Sequence, residues 1–205
     1  ACGNTKKAMT LYRLNLRLSQ ELFTIISCFE IALRNKIDNH YSNNFGNDWL
    51  RDAAMAGGFF DNNRCRLTAQ NINDAVIKLN HNYTHNKLVA ELGFGFWRYM
   101  FAPNQYTAAG RNLLQILPGK PISTAAIQYN QTFVFNQLIQ INNIRNRIAH
   151  HEPICFQSGN SVKDSTYVRQ QYGLIKQLFQ WMGINEAALL YGLDHVNIIC
   201  DQIDN

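Results

Sequence analysis

The chain has 205 residues, 46% of them hydrophobic, and a formal net charge of +5 with a pI near 9.0. That length and apolar content suit one domain spanning residues 1–205 and exclude a disordered chain, while the positive balance favours polyanionic partners. No apolar run approaches the roughly 20 residues that cross a bilayer, so a cytoplasmic protein with no membrane partner is expected.

From Met9 to about Tyr41, Leu11, Leu14, Leu18, Leu22, Ile25, Ile26, Phe29, Leu33 and Ile37 recur at three- and four-residue steps, the pattern of one long amphipathic helix. Asn43–Asp48 and Ala56-Gly57-Gly58 interrupt it. Asp61 or Asn62 then caps a second helix carrying Leu67, Ile72, Ala75, Val76 and Leu79, and Thr84 caps a short helix through Leu92. The aromatic cluster Phe94, Phe96, Trp97, Tyr99, Met100 and Phe101 is read as core packing rather than a base-stacking platform. A weak helix holds Leu113, Leu114 and Ile116 before Pro118–Pro121 turns the chain. Ser123 or Thr124 starts a second long helix of about residues 123–150, and further helices fill about 163–203. The fold class is all-α.

Several chemistries find no support. The cysteines, Cys2, Cys28, Cys65, Cys155 and Cys200, are odd in number and dispersed, which argues for reduced thiols and against both a disulfide framework and a zinc site. The six histidines form no His-Glu-x2-His pattern and the acidic residues are scattered, so no metal is expected. Gly57-Gly58 and Gly93-x-Gly95 lack the partners of a nucleotide loop, and no cofactor is expected. Ala1–Lys7 lacks a secretion signal's apolar stretch, and without an initiating Met some sequence is expected to precede Ala1.

The residues richest in chemistry are Asn143–Ile154, with Arg145, Asn146, Arg147, His150 and His151 within about two helical turns. Arginine offers a planar cationic fork for phosphate oxygens, and imidazole exchanges protons near neutrality, so the combination points to phosphodiester chemistry. The bland alternative is a helix C-terminus attracting Arg and His through its dipole. On a regular helix Asn146 and His150 share a face, as do Arg147 and His151, but Arg145 and His150 stand about 140° apart. That conflict eases if the helix tightens near His150, where Pro153 makes an end plausible, or if Arg145 of one subunit meets His150 of another. Lys6, Lys7, Arg13, Arg17, Arg34 and Lys36 concentrate on the first helix and either join these arginines in a basic cleft or form solvated faces.

Arg145-Asn146-x3-His150 fits the R-x4-6-H signature of the HEPN superfamily, and the string Arg145–Ile154 resembles its Abi-like (abortive infection) branch. Leu11–Asn15 with Phe29–Ile37 resembles that branch's first long helix, and Leu92–Trp97 its central segment; the three blocks cover most of residues 8–156. Arg34–His40 also satisfies R-x4-6-H, but it falls in the first-helix block, so His40 is assigned a mostly solvated role. Glu30 and Arg34 share a helix face and either pair with each other or face the motif, with Asn35 beside them. There, Arg34 meets phosphate and Glu30 orients Arg145.

The resemblance implies a HEPN-like helical bundle with additional helices that forms a homodimer, placing two motifs across a cleft. It implies a toxin-type ribonuclease of phage defence, cutting RNA without metal through 2′-hydroxyl attack, restrained by a protein or RNA antitoxin. His150 is then the general acid or base, Arg145 stabilises the charged transition state and Asn146 holds the motif, while Arg147 and His151 grip flanking phosphates or face solvent. A non-catalytic RNA-binding module, an RNA-antitoxin partner and a nucleotide-binding accessory protein are the alternatives.

Overall fold

The computed structural model describes residues 5–156 and 162–205. Helices build it: among the described residues there is no β-strand, only one isolated bridge between Phe156 and Lys163. The expected all-α class therefore holds. The helices are α1 (Thr5–Phe45), α2 (Trp49–Ala54), α3 (Arg66–Leu79), α4 (His85–Glu91), α5 (Phe94–Tyr99), α6 (Pro103–Ala108), α7 (Gln131–Ala149), α8 (Thr166–Trp181), α9 (Glu186–Leu189) and α10 (Val196–Asp204). None of them is long and apolar enough to cross a membrane.

Two compact units divide the chain, one made of the residues up to Phe29 with Gln140–Asn205, the other of Glu30–Ile139. In the first, the apolar stripe of α1 supplies Leu18, Leu22, Ile25, Ile26 and Phe29, while Ile141, Ile144 and Ile148 come from α7. Helix α8 adds Val168, Ile175, Leu178 and Phe179, and α10 adds Val196, Ile199 and Ile203. Phe29 meets Phe179 edge to face at 5.4 Å, and truncating either ring to Ala costs about 3–5 kcal/mol. A polar clasp ties the start of α8 to α10: Ser165 Oγ donates to Asp204 Oδ2 at 2.6 Å, and Arg169 Nη2 reaches Asp201 at 2.6 Å and Asp204 at 3.1 Å.

The second unit packs Leu33, Ile37 and Tyr41 of α1 with Trp49, Phe60, Ile72, Leu88, Phe94, Trp97 and Phe101. Asp38 is its polar hub, accepting from Trp49 Nε1 at 2.8 Å and lying 2.7 Å from His85 Nε2, which joins α1, α2 and α4. Trp97 satisfies its indole N–H on the Leu92 carbonyl at 2.7 Å. Gly58 is required by contact, since a Cβ there would fall 2.3 Å from the Asp52 carbonyl oxygen.

Local chemistry explains where the elements depart from the periodicity. Helix α1 continues through Asn43 and Asn44, the latter donating from its amide to the His40 carbonyl, and stops only where Gly46 takes φ +94°. The expected cap at Asp61 or Asn62 is instead a turn: Asn62 Oδ1 accepts from the Arg64 and Cys65 N–H groups, and α3 starts at Arg66. Thr84 does cap α4, its hydroxyl accepting from Lys87 N–H. Residues Leu113–Ile116 form a 3-10 turn rather than an α-helix. The largest correction concerns the motif helix, expected from Ser123 or Thr124 but beginning at Gln131. Thr124 Oγ1 accepts from Ile127 N–H and Ser123 Oγ from Tyr129 N–H, so both hydroxyls hold turns, and Asn130 Oδ1 caps the helix by accepting from Phe133 N–H.

Candidate functional site at the end of the motif helix

The helical register survives through His150, whose N–H donates to the Asn146 carbonyl at 2.9 Å. His151 then turns left-handed at φ 57°, its N–H reaching Ile148 O at 3.0 Å, while Glu152 N–H reaches back to Arg147 O at 2.8 Å. These two closures make a Schellman end, with histidine where glycine is usual. A side chain in that backbone region costs about 1 kcal/mol or more, so the corner needs external support.

Arg147 supplies much of that support. Its Nε lies 3.4 Å from Glu152, its Nη2 donates to the Pro153 carbonyl at 2.7 Å, and its guanidinium lies over the Tyr167 ring at 5.5 Å. An ion pair thus spans the two positions where a Schellman end usually places an apolar contact. Beyond Pro153, Ile154 and Cys155 are buried, and Ile154 N–H donates 2.9 Å to Oδ1 of the buried Asn15 on α1. Burial pushes the Cys155 thiol up, which disfavours a thiolate there.

The motif side chains sit on two sides of α7. Asn146 and His150 lie about 40° apart on the face away from the buried stripe, with His150 exposed. Arg145 borders the buried stripe and is half-buried; its Nε is buried without a hydrogen-bond partner, and its Nη1 lies 3.5 Å from Asn146 Oδ1. Because the i to i−4 bond at His150 is intact, tightening comes one residue too late to bring Arg145 and His150 together within a chain.

The supporting residues divide. Arg147 is engaged by the helix end, whereas His151 is exposed at the strained corner. Glu30, Arg34 and Asn35 belong to the Glu30–Ile139 unit. Glu30 and Arg34 are half-buried and Asn35 is exposed; Arg34 Nε is buried without a partner, and no ion pair joins Glu30 to Arg34 among the described residues. His40 is not solvated as expected, because its Nε2 lies 3.0 Å from Asn112 Oδ1 and its ring packs on Tyr41. Lys6, Arg13 and Arg17 emerge from the side of α1 opposite Leu18, Leu22 and Phe29, so they form a solvated face within their unit.

Asn15, part of the Leu11–Asn15 block, has a role that the block alone does not assign. Its signal was present: an amide standing in register with the apolar stripe of Leu18, Leu22 and Ile25. Glu152 lies within the Arg145–Ile154 string, where Arg147-x4-Glu152 brackets the helix end. Cys28, Cys65, Cys155 and Cys200 are free thiols, and Cys2 lies outside the described residues.

A family model described as Abi-like protein matches residues 3–155. The chain belongs to the Abi-like protein family. No curated protein matches the chain, and no solved structure matches it either. The family match ends one residue beyond the Ile154 that Asn15 holds, so it spans α1 through the close of the motif helix, and α8, α9 and α10 lie outside it. Membership implies an abortive-infection role.

Proposed function

We propose that the chain is a metal-independent endoribonuclease of the abortive-infection type, with Arg145, Asn146 and His150 at a site completed by a second copy. The observation that carries this reading is the end of α7. It leaves an exposed imidazole and a guanidinium whose buried Nε has no hydrogen-bond partner on the same short segment but roughly 140° apart, a poor arrangement for one chain and a workable one for two facing chains. An exposed apolar stripe on α1, Met9, Tyr12, Leu16 and Phe23, supports self-association. Its three-, four- and seven-residue steps suit helix pairing.

In the proposed reaction the ribose 2′-oxygen attacks the adjacent phosphorus, the O2′–P bond forms and the P–O5′ bond breaks. His150 of one copy removes the 2′-proton and passes it to the departing 5′-oxygen, while Arg145 comes from the other copy. The products are a 2′,3′-cyclic phosphate and a 5′-hydroxyl. Arg145 balances charge on the five-coordinate phosphorus, and Asn146 sets the direction of the Arg145 fork. HEPN-like chemistry, an RNA substrate and a restraining antitoxin belong to this proposal.

The test is incubation of the pure protein with labelled single-stranded RNA in EDTA. Cleavage to cyclic-phosphate ends is expected, falling about 10²- to 10⁴-fold in His150→Ala and comparably in Arg145→Ala. Salt-sensitive binding without cleavage would instead favour a binding module.

A further inference from the structure

The Glu30–Ile139 unit contains an open cavity of about 910 Å³ that the motif does not use. Its volume falls in the upper part of the usual range for small-molecule sites. Phe96, Tyr99 and Phe135 line it from α5 and α7, Arg64 from the turn before α3 and Arg66 from the first residue of α3. The central aromatic cluster therefore splits: Phe94, Trp97, Met100 and Phe101 are core as expected, whereas Tyr99 is 47% exposed and Phe96 half-buried.

Charge and shape narrow the occupant. No Asp or Glu lines the cavity, and neither Arg64 nor Arg66 forms an ion pair among the described residues. Arg98 adds charge behind the wall, its guanidinium over Tyr99 at 4.7 Å and Phe135 at 5.5 Å, with a buried Nε that has no hydrogen-bond partner. Tyr99 and Phe135 meet at 5.7 Å, giving one continuous aromatic wall stiffened by that cation. Asn71 and Asn104 bring amides, able to donate and accept, to the same cavity. A flat aromatic ring joined to an anion is the chemistry that uses all of these together.

We propose that this cavity is a nucleotide-binding site separate from the motif, with a base stacked on the Tyr99–Phe135 wall and its phosphate held by Arg64 and Arg66. Neither Arg145 nor His150 belongs to it, so it stands or falls independently of the ribonuclease reading. The nucleotide is a free mononucleotide or one unit of an RNA strand, and binding measurements separate the two sources.

The full chain is titrated with 5′-AMP, adenosine, inorganic phosphate, a 2′-O-methyl RNA dodecamer and a polyglutamate peptide. AMP or the dodecamer is expected to bind, with Tyr99→Ala and the double change Arg64→Ala, Arg66→Ala each weakening it about tenfold. These are surface positions, so circular dichroism should stay native. Adenosine and phosphate alone bind more weakly than the tighter nucleotide ligand, and photo-crosslinking of that ligand maps to Tyr99 or Phe135. AMP binding as tightly as the dodecamer assigns the site to free nucleotide; dodecamer binding alone assigns it to the RNA strand. Affinities unmoved by these substitutions, crosslinks elsewhere, polyglutamate binding equally well, or no binding of AMP and dodecamer would each overturn the assignment.

Discussion

Arg147 and Arg145 are two residues apart and have opposite fates. Arg147 is consumed by Glu152, Pro153 and Tyr167, while Arg145 keeps a buried nitrogen without a partner. Arg147→Ala should therefore act through stability, lowering the melting temperature while a folded fraction retains RNA affinity; a large loss of affinity at unchanged melting temperature would assign Arg147 to RNA. Replacing the left-handed His151 by Gly relieves backbone strain and should stabilise by up to about 1 kcal/mol, a rise of roughly 2–4 °C by calorimetry. Asn15→Ala strands the buried Ile154 N–H and should cost about 1–3 kcal/mol in denaturant unfolding, with greater proteolytic sensitivity after Pro153. At this scale the sequence exposed residue types but not their partners: nothing in Arg145-Asn-Arg147 says which guanidinium turns back onto its own helix end. Contacts across long separations, such as Asn15 with Ile154 or His40 with Asn112, leave only faint marks on a chain read linearly.

Among the elements, legibility followed the strength of periodicity and the honesty of the caps. The stripe of Leu18, Leu22, Ile25, Phe29, Leu33 and Ile37 marked α1 without ambiguity, because a helix that long has only one way to bury such a row. The start of α7 is not legible because Ser123 and Thr124 are good caps in type, yet their hydroxyls close turns before Asn130 caps the helix. The clasp between α8 and α10 carries a pH dependence. Burial raises the Asp204 carboxyl, but hydrogen bonds from Ser165 and Arg169 outweigh it and hold it below its ordinary 3.8. A carboxylate depressed on folding contributes stability that is full above the ordinary value and fades as pH falls through the folded value. The advantage of the wild type over Asp204→Asn should therefore be full near neutrality and vanish in strong acid; a difference independent of pH would show that the charge is immaterial.

At the level of the molecule, α1 and α7 each run unbroken from one compact unit into the other. We expect one cooperative transition for residues 1–205, and two resolved calorimetric transitions would show that the units unfold separately. The exposed row of Met9, Tyr12, Leu16 and Phe23 predicts a concentration-dependent dimer, which Leu16→Glu should shift toward monomer with loss of RNA cleavage. The whole-chain fold class was readable because periodic apolar steps need no knowledge of partners. A site shared between copies is not readable in that way, since each sequence contains only half of it. The most direct test mixes Arg145→Ala with His150→Ala in EDTA after subunit exchange. In a shared site the mixed dimer regains one intact pair, so RNA cleavage should return to roughly a quarter of wild type from two inactive parents. A mixture as inactive as its parents, or parents as active as wild type, would contradict the account.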